Sequence, residues 1–211
     1  MTPWARILEV RTGRVARLGS RRTAYAKTPR MEPVALGPLG LAGDEVGDRR
    51  VHGGPDKAVH LYFADHYPRW AAEHPRHAGR LVPGAFGENL VLAGLDERSV
   101  CVGDRWRAGS ALLEPCQPRQ PCATLMVRAM VANGRSGVYA RVLEPGRVAA
   151  GDPFVLEHRP PGAWSVARVL EVSYWPPSAV ALRALAAAPG LAAGWAEWAR
   201  QAASAPRPKP L

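Results

Sequence analysis

Apolar and polar positions alternate near the start of the chain. Leu8, Val10, Val15 and Leu18 surround Thr12-Gly13, with Glu9 and Arg11 on the opposite face, a pattern that predicts a β-hairpin. Residues 36–54, LGPLGLAGDEVGDRRVHGG, break this rhythm; they are too rich in Gly and charge for a helix or central strand and predict a long loop. Ala58 to Phe63 predicts a strand. Asp65 can then cap a helix carrying Tyr67, Trp70, Ala71 and His74 at helical spacing, with Pro68 tolerated in its first turn. This helix is expected to cover the sheet.

Between Gly84 and Glu114, short apolar runs are separated by Gly-Glu-Asn, Ala-Gly-Leu-Asp, Val-Gly-Asp and Ala-Gly-Ser, the turn spacing of a barrel or sandwich. Two more strands are expected from Gly137 to Leu143 and from Arg147 to Glu157, followed by a linker at Pro160-Pro161-Gly162. Beyond Pro177, Leu182, Leu185, Leu191, Trp195 and Trp198 give apolar faces to two short helices parted by Pro189-Gly190. Ala167–Val172 nearly repeats Ala5–Val10 and fits either a strand or a helix, and the tail from Pro206 is expected to fray. The pattern predicts a mainly β fold with helices, of the α+β class: a β-rich domain over residues 1–160 and a short helical appendage over residues 164–205.

Composition narrows the function classes. The 28 basic and 18 acidic residues give +10, but apart from Arg21-Arg22 and Arg49-Arg50 the arginines are scattered, without the basic stripe of a duplex-binding helix. No nucleic-acid partner is expected. Three cysteines, at positions 101, 116 and 122, are an odd number with no C-x-x-C spacing, which points to a reducing compartment. With no apolar leader segment and no run of about 18 apolar residues, a cytoplasmic protein with no membrane partner is expected.

The chemistry concentrates at Gln117-Pro118-Arg119-Gln120-Pro121-Cys122. Two prolines stiffen the segment and are expected to break ladder pairing around it, and a cation beside Cys122 favours the thiolate, the form that attacks electrophiles or ligates a soft metal. Cys101 and Cys116 fall in or beside strands and are assigned to packing. The other polar clusters are Gly43-Asp44, His52-Gly53-Gly54-Pro55-Asp56-Lys57 and Gly87-Glu88-Asn89.

Together with Lys27, and in this order, these segments resemble the MOSC domain family, named for the C-terminal domain of molybdenum cofactor sulfurase. The resemblance runs from Lys27 through GLAGDEVGDRRVHGGPDKAVHLY, GAFGENLVLAGLDE, VGDRWRAGSALLE and QPRQPC to GRSGVYARVLEPGRVAAGD. It is similar to a bacterial stand-alone branch with a small C-terminal three-helix domain, linked to resistance to N-hydroxylated purine bases. The resemblance implies a closed MOSC-type β-barrel with a covering helix, a molybdenum cofactor (molybdopterin), and Cys122 as the metal ligand. A thiolate suits that metal as a soft donor.

On the same implication, Lys27 and Arg119 supply charge for the cofactor phosphate, and His52, Gly53 and Gly54 bring backbone N–H groups close to an anion. Asn89, with Glu88, is expected to bond the pterin edge, and Asp44 to orient the reacting group. The implied activity is reduction of a small N-hydroxylated substrate. Because the chain lacks the four cysteines of an iron–sulfur centre and has no G-x-G-x-x-G fingerprint, a separate electron-donating reductase is expected. The oligomeric state stays open, a homodimer included. Two rival readings are a non-catalytic carrier or sulfur-transfer module working through a Cys122 persulfide, and a basic nucleic-acid-binding barrel.

Overall fold

A computed structural model describes residues 5–18, 21–48, 52–120, 127–175 and 177–205. Its early strands are β1 (Ala5–Thr12), β2 (Ala16–Leu18), β3 (Arg21–Thr23), β4 (Thr28–Pro29), β5 (Val34–Gly37) and β6 (Gly40–Leu41). There follow β7 (Val59–Phe63), helix α1 (His66–Glu73), β8 (Leu90–Ala93), β9 (Arg105–Ala108), β10 (Ala111–Pro118) and α2 (Val127–Asn133). The last strands are β11 (Val138–Glu144), β12 (Gly146–Val148) and β13 (Pro153–His158), before α3 (Val166–Tyr174), α4 (Ala179–Ala186) and α5 (Ala193–Ser204).

Seven strands close a barrel in the order β13-β9-β10-β11-β7-β8-β1, and β1 returns to β13 through Ala5↔Phe154 and Arg6↔Pro153. All neighbours are antiparallel except β7 and β8, and that parallel pair needs a crossover, which α1 and a 3-10 turn at Pro75–Arg80 provide. The expected closed barrel with a covering helix is therefore present. Helix α1 is held by aromatic packing, with Tyr67 and Trp70 against Tyr62 and Phe86, rather than by its cap; Asp65 makes no side-chain capping bond.

The expected opening hairpin does not form. β1 pairs with β8, β13 and β4, while β2 pairs only with β3. The face assignment also shifts: Ile7 and Val10 are buried and Leu8 is exposed, because the register slips between Ile7 and Glu9. Such a bulge inserts one residue and turns two positions of unlike parity toward the same core. Part of the 36–54 stretch is also ordered, with β5 and β6 forming a small sheet with β12 outside the barrel.

The C-terminal ambiguity resolves to helix. In α3, Ser165 accepts a hydrogen bond from the Arg168 N–H as an N-cap, and Val166, Val169 and Leu170 are buried at helical spacing. Six residues similar to β1 thus fold differently because a cap and different partners surround them. α3 serves two cores: Val166 and Leu170 join the barrel interior, while Val169 packs with Leu182, Leu185, Trp195 and the strand residue Cys116. α4 and α5 match the two helices expected around Pro189-Gly190. The expected tail from Pro206 lies outside the described residues. Among the described residues no helix is long and apolar enough to cross a membrane.

Trp106 on β9 is 1 % exposed and stacks on Phe154 of β13 with ring centroids 4.9 Å apart, next to the strand pair that closes the barrel. Trp106→Ala should destabilise the protein by about 3–5 kcal/mol. Trp175→Ala, at an exposed position, should change stability by less than about 0.5 kcal/mol, both measured by urea unfolding.

Candidate functional site

Three of the residues singled out in the sequence meet at one end of the barrel. Lys27 Nζ lies 2.7 Å from Asp44 Oδ2, and Asn89 Nδ2 donates to the same oxygen at 2.9 Å. The Gly13 N–H donates to Asp44 Oδ1 at 2.8 Å, and the Arg11 guanidinium, itself paired with Glu9, donates to the Lys27 carbonyl. Lys27 and Asp44 side chains are 9 % and 11 % exposed. Burial lowers the Lys27 pKa from its ordinary value, and Asp44 opposes that shift.

Asn89 spends its amide internally. Its Oδ1 accepts from the His60 N–H at 3.0 Å, and its Nδ2 also donates to the Arg11 carbonyl at 3.2 Å. Glu88, fully buried, accepts from the Tyr67 hydroxyl at 2.6 Å, the Phe86 N–H at 3.0 Å and the Gly84 N–H. In this geometry Glu88, Asn89 and Asp44 build and position the site. Their polar atoms bond to the protein itself, and the expected contacts of Asn89 with a pterin edge and of Asp44 with a reacting group are left as expectations.

Two buried groups are less fully satisfied. Arg119 is 3 % exposed, and its Nη1 has no hydrogen-bond partner among the described residues. His60, in β7, is 2 % exposed, and neither ring nitrogen has a partner of ordinary geometry. Its pKa is pushed well below the usual histidine value by burial first, then by the positive charges of Arg119 and Lys27; the nearby backbone of Gly87 and Ser136 opposes the shift. A neutral imidazole thus lies within the field of two cations. Sequence reasoning passed over His60 because a lone histidine in the apolar run VHLYF reads as an ordinary strand residue.

Arg119 is held directly after a strand whose prolines do not break its pairing. β10 carries Pro115 and Pro118 yet stays paired with β11 through Pro118↔Val138, and the Arg119 N–H donates to the Gly137 carbonyl at 3.0 Å. Pairing survives because the other neighbour, β9, matches only Ala111–Leu113, leaving the prolines no ladder to break on that side. Cys122 and Pro121 lie outside the described residues.

The His52-Gly53-Gly54 turn lies against the side chain of Val46, two positions after Asp44. His52 is half-buried and its N–H donates to the Asp48 carbonyl at 2.9 Å, and Gly53 and Gly54 have φ of 79° and 85°, which glycine adopts without strain. Both glycines line a cavity of about 480 Å³ with Asp56, Gln117, Gln120, Trp195 and Trp198. Of the cysteines, Cys116 lies in β10 with Sγ 3.2 Å from the Asp56 carbonyl, and burial pushes its thiol up to about 12. Burial, with Asp104, also raises Cys101. Both are packed thiols rather than thiolates. Among the described residues no group of three or more His, Cys, Asp or Glu side chains could hold a metal ion.

Asn89→Ala should cost about 2–3 kcal/mol in urea unfolding, because it leaves the buried His60 N–H and one oxygen of Asp44 short of a partner. His60 gives a pH test. Its folded pKa is below the unfolded value, so below about pH 6.5 the unfolded chain takes up a proton that the folded one refuses, and stability falls as pH falls. Between pH 7 and 5 the wild type should lose stability more steeply than His60→Gln, by up to about 1.4 kcal/mol per pH unit.

Known proteins agree with this architecture. The chain is 38 % identical over 178 residues to a protein named Reductase from Gibberella moniliformis, 79 % of this chain but 32 % of that one, so it spans about a third of that relative. It is 39 % identical over 161 residues to YiiM from Escherichia coli, covering 72 % of each chain. The crystal structure of YiiM from Geobacillus stearothermophilus superposes with a TM-score of 0.79 at 34 % identity, over 93 % of this chain and 98 % of that one. The model of the MOSC domain matches residues 48–155, from the His-Gly-Gly turn to the strand that closes the barrel, and the chain is a member of the MOSC domain family.

Proposed function

We propose that this protein binds a molybdenum–pterin cofactor, with Cys122 as its thiolate ligand, and reduces small N-hydroxylated molecules. The observation that supports this most is the buried Arg119, three positions before Cys122, with Nη1 lacking a partner beside a histidine held neutral. A buried cation with a free donor is costly unless an anion completes it, and a pterin phosphate has the charge and acceptor oxygens to do so. The residues present therefore fit the group. Membership of a family named for molybdenum cofactor sulfurase and the relative named Reductase support the same reading.

In this reading the cofactor supplies two-electron reduction of an N–O bond, chemistry that side chains lack. The balance is an N-hydroxylated compound plus two electrons and two protons, giving the amine and water. Arg119 binds the phosphate. Lys27, already paired with Asp44, adds positive potential, and Asn89 holds that pair to the barrel. Gly53 and Gly54 let a ligand approach the backbone closely. The electrons come from a separate reductase protein, since the sequence carries neither an iron–sulfur ligand set nor a dinucleotide fingerprint.

The test is metal analysis of protein expressed in a cofactor-competent host, with turnover driven by a reduced viologen so that no protein donor is needed. Cys122→Ser should lose molybdenum and N–O reduction with unchanged melting, because a hydroxyl is a poor soft-metal donor. Arg119→Met should weaken cofactor retention roughly ten- to hundredfold, the loss of one charge-assisted bond, while melting no lower than the wild type. Wild-type protein without molybdenum, or Cys122→Ser retaining both metal and turnover, would overturn the reading.

A further inference from the structure

A buried carboxylate that the chemistry above does not use lies behind Arg119. Glu97, in the loop after β8, is 5 % exposed, and its backbone is fixed from two directions. Asp96 Oδ1 accepts from the N–H groups of Arg98 and Ser99, and the Glu97 carbonyl accepts the Ala167 N–H of α3 at 2.7 Å. We infer that Glu97 is the positioning residue for Arg119: its carboxylate holds the Gly137 peptide, and that peptide holds the Arg119 backbone. The inference rests on the reading above for what Arg119 binds, but not for how Arg119 is held.

The contacts run in an unbroken series. His66, the first residue of α1 and 2 % exposed, meets Glu97 Oε2 through Nε2 at 2.7 Å. With that oxygen engaged, Oε1 accepts the Gly137 N–H at 3.0 Å. The Gly137 carbonyl in turn accepts the Arg119 N–H at 3.0 Å. A carboxylate on the N–H of a peptide polarises the carbonyl of the chain it joins, so the first bond strengthens the second.

The sheet alone fixes neither partner. Arg119 lies one residue beyond β10, at an end where β9 has already stopped pairing, and Gly137 lies one residue before β11. Gly137 has φ of 77°, and a Cβ there would come within 2.6 Å of the Leu61 carbonyl oxygen, 2.7 Å of His60 Nε2 and 2.9 Å of Tyr62 Cδ2. Glycine therefore lets this peptide press against β7 at the His60 ring, and Glu97 supplies the acceptor that its buried N–H needs. Because Arg119 Nη1 has no partner among the described residues, the hold on its backbone bears directly on where that donor points.

Two substitutions separate the reach of the carboxylate from its charge. Glu97→Gln keeps the length and an oxygen for the Gly137 N–H, and its amide can donate to a neutral His66. Glu97→Asp keeps the charge but draws it back by one methylene. In cofactor-free full-length protein, NMR-detected hydrogen exchange at the Arg119 and Gly137 amides should be as slow as in the β10–β11 ladder. Exchange there should be unchanged in Glu97→Gln and at least about tenfold faster in Glu97→Asp. In protein from a cofactor-competent host, with molybdenum measured after gel filtration, Glu97→Asp should weaken cofactor retention roughly five- to tenfold, the worth of one hydrogen bond, and Glu97→Gln should match the wild type. In an Arg119→Met background Glu97→Asp should add no further loss, a non-additivity that general loosening of the fold would not give.

Loop-like exchange of either amide in the wild type would overturn the inference whichever variants fold. Equal losses in Glu97→Gln and Glu97→Asp, or additive losses in the double variant, would overturn it too. If exchange follows the expected pattern while the wild type carries no molybdenum, the positioning role stands and the cofactor reading falls. If the wild type holds molybdenum and Arg119→Met loses it, while Glu97→Asp changes neither exchange nor retention, the cofactor reading stands and the positioning role falls.

Discussion

The side-chain amide of Asn89 is the interaction on which the site depends. It joins the backbone of β7 at His60, the backbone of β1 at Arg11 and the carboxylate of Asp44, while the Asn89 backbone donates to the His60 carbonyl and accepts from the Arg11 N–H. The residue thus extends the pairing of three neighbouring strands just before β8 begins. A buried amide with its donors and acceptor engaged fixes geometry strongly, since each group it abandons would be left dry. Through Asp44 this order reaches Lys27, so a mobile amine becomes a held charge.

A second constraint is electrostatic. Arg119 and Lys27 both act on His60 from inside the protein, where charges are poorly screened. Lys27 is answered by Asp44 at 2.7 Å and by the field of Glu88, whereas Arg119 Nη1 has no partner among the described residues. Burial remains the first cause of the His60 shift, and the two cations add to it. Positive charge of this kind differs from the scattered surface arginines that give the chain its +10.

Much of the fold was legible because the barrel strands are short apolar runs punctuated by Gly and Asp turns, and the helices α4 and α5 have clear apolar faces. What failed to read was non-local. β1 finds its partners at Leu90–Ala93 and Pro153–Phe154, and no local pattern distinguishes that from a hairpin to β2. The bulge that buries both Ile7 and Val10 likewise depends on the partner strands. The segment Ala167–Val172 shows the limit from the other side, since its choice of helix follows from the Ser165 cap and its packing partners.

For the site, Lys27, Asp44 and Asn89 were legible as polar residues in loops, but their mutual pairing was not. The contribution of α5 to the cavity was also hidden. Trp195 and Trp198 read as core residues of a helix about seventy-five positions from the cysteine segment, and only the folded chain brings that helix to Gln117 and Gln120.

Helix α3 bears on how that wall behaves. Neighbouring positions along it enter different cores, Val166 and Leu170 the barrel and Val169 the helical cluster, and the barrel residue Cys116 reaches into the second core, its carbonyl accepting the Ala192 N–H at 2.8 Å. Moving α5 away from the barrel would therefore strip apolar surface from the second core, to which α3 is tied, and break a strand-to-helix hydrogen bond, a cost that hinge motions avoid by placing their pivots in exposed segments. The wall that α5 gives to the cavity is accordingly a fixed one, held by the second core and by the Ala192–Cys116 hydrogen bond rather than free to swing on a hinge.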